Sequence, residues 1–286
     1  MAGLTVGRST IAIADAARSG DWVADRLYRP FLHAGGDPTL RLSVAPLDRG
    51  VPAGGVVTFD SGLGWRVLET ARGWSFVSLR AGRPYHALAV DRAWQAGTVF
   101  LPKRLRVGAR RPFPVAYPWE MVLFTSLLAH ADGAIVHATA MAVDGAGWVF
   151  AGPHRAGKTT LARLFKRRPG VTTLNDDRVA VRHVDGRWHA FGTPWAGSAR
   201  INADVAVPIR GVCLIRHGRV TKPVRLTPAQ AAPRLLARCL HPYWDRAAAS
   251  KLLDTIARLV AEVPCYDFPF RPSLRSVLRG MQMAER

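Results

Sequence analysis

One stretch of the sequence has the residue types and spacing of a phosphate-binding loop. Residues 152–159 fit the pattern G-x-x-x-x-G-K-[ST] at every fixed position. Such a loop surrounds an anion with backbone N–H groups and the positive end of a helix dipole; its lysine contacts the phosphates and its hydroxyl holds Mg²⁺. The stretch therefore predicts a nucleotide site with ATP and Mg²⁺ as ligands. The predicted binding residues are Gly152, His154, Arg155, Ala156, Gly157, Lys158, Thr159 and Thr160.

The residues on either side of this loop fit the strand–loop–helix context that phosphate loops require. Residues 148–151 are a short apolar run, which predicts a buried strand, and residues 159–165 have apolar side chains at helical spacing. The alternative is a glycine-rich turn that matches by chance. The flanking strand and helix favour the phosphate loop over that alternative.

Two adjacent aspartates, Asp176 and Asp177, follow a strand predicted over residues 171–175. A carboxylate at a strand end can bind Mg²⁺, and phosphoryl transfer to a hydroxyl benefits from a base that accepts its proton. Because adjacent side chains at a strand end can diverge, one carboxylate could face the metal and the other the acceptor. The alternative is a surface turn with two solvated aspartates, and the apolar Leu174 before the pair favours the functional interpretation.

His137 lies in an apolar strand predicted over residues 134–143. A single histidine in such a strand is most often a hydrogen-bonded core residue. A turn predicted at residues 144–147 returns the chain beside the strand that enters the phosphate loop. His137 could therefore face the phosphates or the acidic pair, and the sequence leaves both interpretations open.

As a set, these motifs resemble the HPr kinase/phosphorylase-like serine kinases. The order and spacing of that family are matched by IVH at 135–137, VDG at 143–145, the phosphate loop, LNDDRV at 174–179 and IRGV at 209–212. The resemblance covers residues 117–215 by motif and reaches residue 286 in outline. It is nearest to the shortened relatives found with peptide-modification systems. It implies a P-loop kinase core related to phosphoenolpyruvate carboxykinase.

The resemblance also implies an activity and residue roles. The activity is ATP- and Mg²⁺-dependent transfer of the γ-phosphate to a serine of a protein or peptide. The implied catalytic residues are Asp176 as base, His137 tuning that base, Lys158, and Arg210 near the transferring phosphate, with Thr159 and Asp177 on the metal. Arg155 stands where the family has glycine, so a positive φ there would cost about 1 kcal/mol. Family members form hexamers, which makes a homo-oligomer one expectation.

The pattern of apolar and polar residues changes along the chain and predicts two domains. Residues 1 to about 30 predict an amphipathic helix ending at Pro30. Residues 40–101 alternate with period two between glycine-rich breaks, which predicts short antiparallel strands. The proline-rich basic segment 103–118 predicts a linker. The predicted fold class is α/β: a small β-rich N-terminal domain of unknown role over residues 1–110, then a P-loop kinase core with a mixed β-sheet and C-terminal helices over residues 117–286.

Further elements of the second domain follow from apolar spacing. The sequence predicts helices over residues 119–130, 228–240 and 247–263, and the last 60 residues are predicted to be mostly helical. In the first domain, Trp65, Trp74, Phe76 and Trp94 could form a ligand-stacking surface. Core packing is the commoner use of aromatic side chains in strands and is the favoured interpretation.

Composition narrows the function classes. The 286 residues carry a net charge of +20, but only five of the 40 basic residues are lysines and the arginines are scattered. This disfavours nucleic acid as a partner, while an acidic protein or peptide is at least as compatible. Without an apolar run of 18 residues or a signal sequence, we expect no membrane contact and a cytoplasmic location. Three widely separated cysteines argue against a disulfide framework and a zinc site.

Two other functions remain open from the sequence. The first is a nucleotide-binding regulatory or scaffolding protein that binds without phosphotransfer. The second is an NTPase stimulated by nucleic acid, whose turnover would fall steeply with salt.

Overall fold

The computed structural model describes residues 2–14, 22–34, 36–49, 54–102, 111–115, 118–166 and 168–285. The described residues form an α/β fold with two mixed β-sheets and five α-helices. None of these helices is both long and apolar enough to cross a membrane. The chain divides into one compact unit of Met1–Leu127 with Pro242–Arg246 and a second of Leu128–His241 with Ala247–Arg286.

This division differs from the sequence-based boundary. Most of the predicted linker, residues 103–110 and 116–117, lies outside the described residues. The observed division falls between residues 127 and 128, inside the helix α1 (Trp119–His130), whose predicted bounds are confirmed. A short later segment, Pro242–Arg246, also belongs to the first unit.

The first unit is built on a nine-stranded sheet within the described ranges. The strands of this unit are β1 (Ala2–Val6), β2 (Ser9–Ala14), β3 (Trp22–Val23), β4 (Leu32–Ala34), β5 (Leu40–Pro46), β6 (Val56–Asp60), β7 (Trp65–Thr70), β8 (Gly73–Arg80), β9 (Arg83–Asp91), β10 (Ala96–Leu101) and β11 (Arg111–Pro112). Their order is β4-β1-β2-β5-β10-β9-β8-β7-β6, with β3 and β11 paired separately. Neighbours in the large sheet are antiparallel except β5, which is parallel to β2 and β10. The prediction of short antiparallel strands over residues 40–101 is thus confirmed except at β5.

The prediction of a helix over residues 1–30 is wrong. Half of the described residues there form β1 and β2, joined by a hairpin at Gly7 and Arg8, whose φ angles are 57° and 62°. Two successive positive φ angles are typical of tight hairpin turns. The buried side chains Leu4, Val6, Ile11 and Ile13 alternate along the strands, so the true period is two. The residues that join β2 to the next strand, 15–21, lie outside the described part.

An aromatic cluster forms much of the core of the first unit. Its rings come from Phe59, Trp65, Trp74, Phe76, Trp94, Trp119, Tyr243 and Trp244. Trp244 donates its Nε1–H to Ser126 Oγ at 2.9 Å, and its carbonyl accepts from Trp74 Nε1 at 3.2 Å. Trp74, Phe76 and Trp94 are buried, so the core interpretation is correct for these three, while Trp65 is half-buried.

The second unit is an eight-stranded mixed sheet with helices on both faces. Its strands are β12 (Gly133–Val143), β13 (Ala146–Ala151), β14 (Val171–Asn175), β15 (Arg178–Val184), β16 (Arg187–Phe191), β17 (Ala206–His217), β18 (Val224–Arg225) and β19 (Cys265–Phe270). Its helices are α2 (Lys158–Phe165), α3 (Pro228–Leu236), α4 (Arg246–Glu262) and α5 (Leu274–Ala284). The first half of β12 pairs with β15 and its second half with β13 and β14. The long strand β17 likewise passes from β16 to β13 and β19.

Alternation along β13 explains how the sheet carries helices on two faces. Val149 and Ala151 pack in a core cluster that includes residues of α3 and α4. Trp148 and Phe150 point to the opposite face and pack with residues of α2 and α5. Since successive side chains of a strand point to opposite faces, one short apolar strand anchors both layers.

The last 60 residues are mostly helical, as predicted, but the details differ. The helix predicted over residues 228–240 ends at Leu236, and the one predicted over residues 247–263 is confirmed as α4 to within a residue. Residues 265–270 form β19 beside β17, which the sequence analysis missed. This strand is short, apolar and aromatic, so its pattern has no helical or strand period of its own.

A buried histidine in the first unit makes its stability depend on pH. Burial lowers the pKa of His86 from 6.5 to about 4, and its Nδ1 accepts from Trp119 Nε1 at 2.9 Å. The unfolded chain therefore binds a proton before the folded chain does. We expect the free energy of unfolding to be highest above pH 6.5 and to fall by up to about 3 kcal/mol as the pH drops from about 6.5 to 4.

Urea unfolding followed by tryptophan fluorescence at several pH values measures this effect. His86→Gln is the control, because the amide oxygen can still accept from Trp119 but does not titrate. The variant should lose the part of the pH dependence that belongs to His86. Parallel curves for the two proteins between pH 6.5 and 4 would contradict the prediction.

Candidate functional site

The predicted phosphate loop joins β13 to α2 in the second unit. β13 ends at Ala151 and α2 begins at Lys158. Arg155 has a φ of 62° and Gly157 a φ of 101°, so both are left-handed. Arg155 thus carries the steric cost expected for a non-glycine residue at this position.

Two neighbouring residues hold the strained part of the loop. His217, at the end of β17, donates its Nε2–H to the Arg155 carbonyl oxygen at 2.8 Å. The ring of Phe270, at the end of β19, covers Gly157, where an added Cβ would lie 2.6 Å from a ring carbon. Glycine is therefore required at 157 both for its φ and for the close approach of the ring.

The loop forms one wall of an open cleft of about 540 Å³. The cleft is lined by His137, His154, Arg155, Gly157, Lys158, Thr159, Thr160, Asp177, Arg178, Gly197 and Ser198. The structure thus brings together most of the predicted site residues, including His137. Gly152 and Ala156 are buried beneath the loop, where Gly152 leaves no room for a Cβ against Ile215.

Lys158 is the buried cation of the cleft. Its Nζ donates to the Gly152 and Pro153 carbonyl oxygens at 3.0 and 2.9 Å. Burial lowers the pKa of this ammonium and the charge of Arg238 acts in the same direction, while Asp177 opposes them. The ammonium is therefore held at the base of the loop.

Asp177 is the carboxylate that faces the phosphate loop. Its Oδ1 accepts from His137 Nε2 at 3.0 Å and its Oδ2 accepts from Arg178 Nη1. Burial by itself would raise the pKa of Asp177, but the hydrogen bond from His137 and the charges of Arg178 and Lys158 outweigh it. The net pKa lies below its usual value, so Asp177 is ionised at neutral pH.

The change of strand partners in β12 places His137 at this carboxylate. His137 is the last residue of β12 that pairs with β15, opposite Arg178. The next residue, Ala138, donates its N–H to the Asp177 carbonyl oxygen at 3.0 Å. The histidine is therefore a positioned partner of Asp177 at a junction in the sheet.

Asn175 decides which aspartate faces the cleft. Its Oδ1 accepts the backbone N–H groups of Asp177 and Arg178 at 2.8 and 2.9 Å, and its Nδ2 donates to the Thr193 carbonyl at 2.8 Å. Such a side chain to backbone turn fixes the direction of the following residues. Asn175 was not among the predicted site residues, although an asparagine directly before two aspartates is a turn signal.

Asp176, the predicted base, is not brought to the cleft. Its side chain is fully buried, and its carboxylate accepts three backbone N–H groups, from Gly197 at 2.8 Å, Ala199 at 2.9 Å and Ile201 at 3.3 Å. Gly197 and Ser198 of the same loop line the cleft. Asp176 therefore positions the loop of residues 197–201. The two aspartates diverge, with Asp177 on the phosphate side where the resemblance implied it, while Asp176 is buried instead of facing an acceptor.

Arg210, predicted near the transferring phosphate, is also placed elsewhere. It ion-pairs with Glu285 at 2.7 Å, and its part of β17 pairs with the start of β13. The phosphate loop leaves the other end of β13, where Ala151 pairs with Leu214. Four residues of strand separate Arg210 from Leu214, which is roughly 13 Å.

The side chains that line the cleft are suited to a nucleoside triphosphate with Mg²⁺. Its described lining carries three cationic side chains, Arg155, Lys158 and Arg178, against the one carboxylate of Asp177. Among the described residues there is no group of three or more histidine, cysteine, aspartate or glutamate side chains that could hold a metal alone. Mg²⁺ commonly takes one or two protein oxygens and completes its shell with phosphates and water. The Thr159 hydroxyl and the Asp177 carboxylate supply that kind of donor set.

Models of known protein families give no match to this chain, and a search of curated proteins gives none either. The resemblance to the HPr kinase/phosphorylase-like enzymes therefore stays a prediction. A functional assignment rests on the geometry of the cleft.

We expect Gly157→Ala to disrupt the phosphate loop. The new methyl group would meet the Phe270 ring and would stand at a φ of 101°. Left-handed strain and overpacking together cost roughly 2–4 kcal/mol, and binding of a fluorescent ATP analogue should be lost.

Gly186→Ala is the matched control. Gly186 has a φ of 76° but nothing within 4 Å of an added Cβ. This control should lose only about 1 kcal/mol in thermal or urea unfolding and keep nucleotide affinity. Equal effects of the two substitutions would show that the contact with Phe270 is unimportant.

Proposed function

We propose that the protein is an ATP- and Mg²⁺-dependent serine kinase that phosphorylates a protein or peptide. The observation that carries the proposal is the convergence of Lys158 and the His137–Asp177 pair on one cleft beside the phosphate loop. A phosphate loop alone is common to many nucleotide-binding proteins. A histidine-paired carboxylate directly opposite it is what phosphoryl transfer to a hydroxyl needs in addition.

In this proposal the phosphate loop holds the triphosphate. Loop N–H groups, the Lys158 ammonium and the start of α2 bind the phosphates, with Arg155 and Arg178 adding charge at the rim. Bound Mg²⁺ would neutralise phosphate charge, held by the Thr159 hydroxyl and Asp177. These contacts align the γ-phosphate toward the side of the cleft that contains Asp177.

Asp177 takes the role of base that the sequence assigned to Asp176. Each carboxylate oxygen has a second lone pair beside the hydrogen bond it already accepts, so Asp177 can also accept from a serine hydroxyl. The serine oxygen forms its bond to the γ-phosphorus as the bond to the leaving ADP oxygen breaks, and the hydroxyl proton passes to Asp177. Its low pKa makes it a weak base, which suffices because the transition state is loose and needs little proton transfer.

The rest of the proposal concerns the acceptor and its setting. The acceptor serine would enter between the phosphate loop and the loop of Gly197 and Ser198, which Asp176 holds in place. A cytoplasmic location and assembly into homo-oligomers, both expected from the sequence, belong to the same proposal.

One alternative has a specific observation in its favour. Two of the predicted catalytic residues, Asp176 and Arg210, lie away from the cleft. A protein that binds nucleotide without transferring phosphate needs neither residue. Tight nucleotide binding without phosphotransfer to any serine peptide would favour this regulatory role.

Asp177→Asn tests the kinase proposal directly. Loss of the base should reduce phosphotransfer at least about 100-fold, while nucleotide binding measured without Mg²⁺ stays within a few-fold because the phosphate loop is intact. The measurement is transfer from γ-labelled ATP with Mg²⁺ to an array of serine peptides. Asp185→Asn, the same change at an exposed hairpin turn, should transfer normally. Normal transfer by Asp177→Asn would overturn the assignment of the base.

Asp176→Asn should act on stability before chemistry. The asparagine keeps only one acceptor oxygen, so at least one of the three N–H groups from the 197–201 loop loses its acceptor. We expect a loss of about 1.5–3 kcal/mol in the free energy of unfolding of the second unit. Phosphotransfer should persist at a temperature well below the thermal unfolding midpoint of the variant. A stable but inactive variant would return the role of base to Asp176.

A further inference from the structure

A second cavity in the same unit is lined by four cations. It has a volume of about 290 Å³, and its lining includes Arg219, Lys222, Arg271 and Arg279. No carboxylate lines it, and in the part of the chain that the structure describes none of the four forms an ion pair. Four like charges in one concavity repel each other, and an anion in the cavity would offset that repulsion.

The cavity lies next to the phosphate loop along the chain. β17 ends at His217, which holds Arg155, and two residues later Arg219 lines the cavity. β19 ends at Phe270, which covers Gly157, and the next residue is Arg271. The two strand ends are tied together, because Gly218 donates its N–H to the Phe270 carbonyl at 3.1 Å. The same two strand ends therefore support the phosphate loop and lead into the cationic cavity.

The lining favours carboxylates of a peptide over a nucleic acid. Guanidinium groups bind carboxylates in a two-pronged geometry, and three of the four cations are arginines. The lining contains no aromatic ring on which a nucleic-acid base could stack. Instead it contains Val220 and Met283, apolar side chains that are 70% and 41% exposed. Apolar contact beside fixed cations suits a peptide whose acidic residues alternate with uncharged ones.

We propose that this cavity binds acidic side chains of the peptide acceptor and thereby brings its serine to the neighbouring cleft. The inference deepens the proposed function and rests on it for the identity of the ligand as acceptor. Binding of an acidic peptide, however, requires no phosphotransfer. The two proposals can therefore fail separately.

Peptide binding by the full chain without nucleotide tests the cavity. The probes are a fluorescein-labelled decapeptide of alternating glutamate and serine and the same peptide with glutamine for glutamate, compared by fluorescence anisotropy. We expect the acidic peptide to bind at least about tenfold more tightly, and the double variant Arg271→Gln/Arg279→Gln to remove most of that preference.

The matched control separates the cavity from the overall positive charge. Arg187→Gln/Arg275→Gln makes the same change in net charge, and Arg275 is exposed on the same helix as Arg279 but outside the cavity. This control should weaken binding less than twofold. Equal weakening by both double variants would overturn the proposal, because binding would then follow net charge alone.

A second variant guards against a folding defect in α5. Arg219→Gln/Lys222→Gln removes two cations from the loop side of the cavity. This variant should also weaken binding of the acidic peptide at least about tenfold. If it does not, the cavity is not the binding site. Tighter, cavity-dependent binding of a single-stranded oligonucleotide of equal charge would overturn the proposal in favour of nucleic acid. Full displacement of the peptide by equimolar inorganic phosphate would overturn it in favour of a small-anion site.

The kinase assay then distinguishes the two proposals. If peptide binding depends on the cavity but no serine is phosphorylated, the docking site stands and the kinase function fails. If phosphotransfer occurs and Arg271→Gln/Arg279→Gln leaves the KM for the acidic peptide unchanged, the kinase stands and the docking site fails. Support for both requires a raised KM for the acidic peptide with little change in kcat.

Discussion

The cleft depends on the side chain of Asn175. By accepting the N–H groups of Asp177 and Arg178, it turns the chain so that Asp176 points inward and Asp177 points to the phosphate loop. Each aspartate then has surroundings that suit its orientation. Asp176 is fully buried but accepts three backbone N–H groups, which offsets the cost of burying a charge. Asp177 has one histidine, one arginine and a lysine nearby, which keep it ionised at an only partly exposed position.

Rigid strands, rather than long loops, carry most of the remaining geometry. His137 is fixed because β12 changes partners at that residue, and Lys158 is fixed as the first residue of α2. β12 pairs with β13 through a backbone ladder, and α2 follows β13 after the phosphate loop. Placing side chains at strand and helix ends limits their movement, which the proposed phosphoryl transfer would require because such transfer is catalysed mainly by positioning and charge. The fold alone therefore positions the side chains of the cleft.

Features encoded locally were predictable from the sequence, and features that depend on distant residues were not. The phosphate loop, the hairpin strands around it and α1 follow from motif and apolar spacing over a few residues. The direction of Asp176 depends on a loop that begins at Gly197, about 20 residues later, which no local pattern shows. Arg210 is similar, since only the parallel register of β17 with β13 reveals that it lies at the far end of the strand. The prediction of an N-terminal helix was wrong because the apolar residues there are sparse. They fit a period of 3.6 residues as well as a period of two residues.

The strained Arg155 links the phosphate loop to the rest of the unit. A left-handed arginine costs about 1 kcal/mol and persists only where surrounding contacts fix it. Those contacts come from His217 on Arg155 and from Phe270 on the adjoining Gly157, the last residues of β17 and β19. Because the cationic cavity begins immediately after both residues, a ligand bound there would act on the same two strand ends that hold the loop. The strain in the loop and the charge in the cavity therefore share one support.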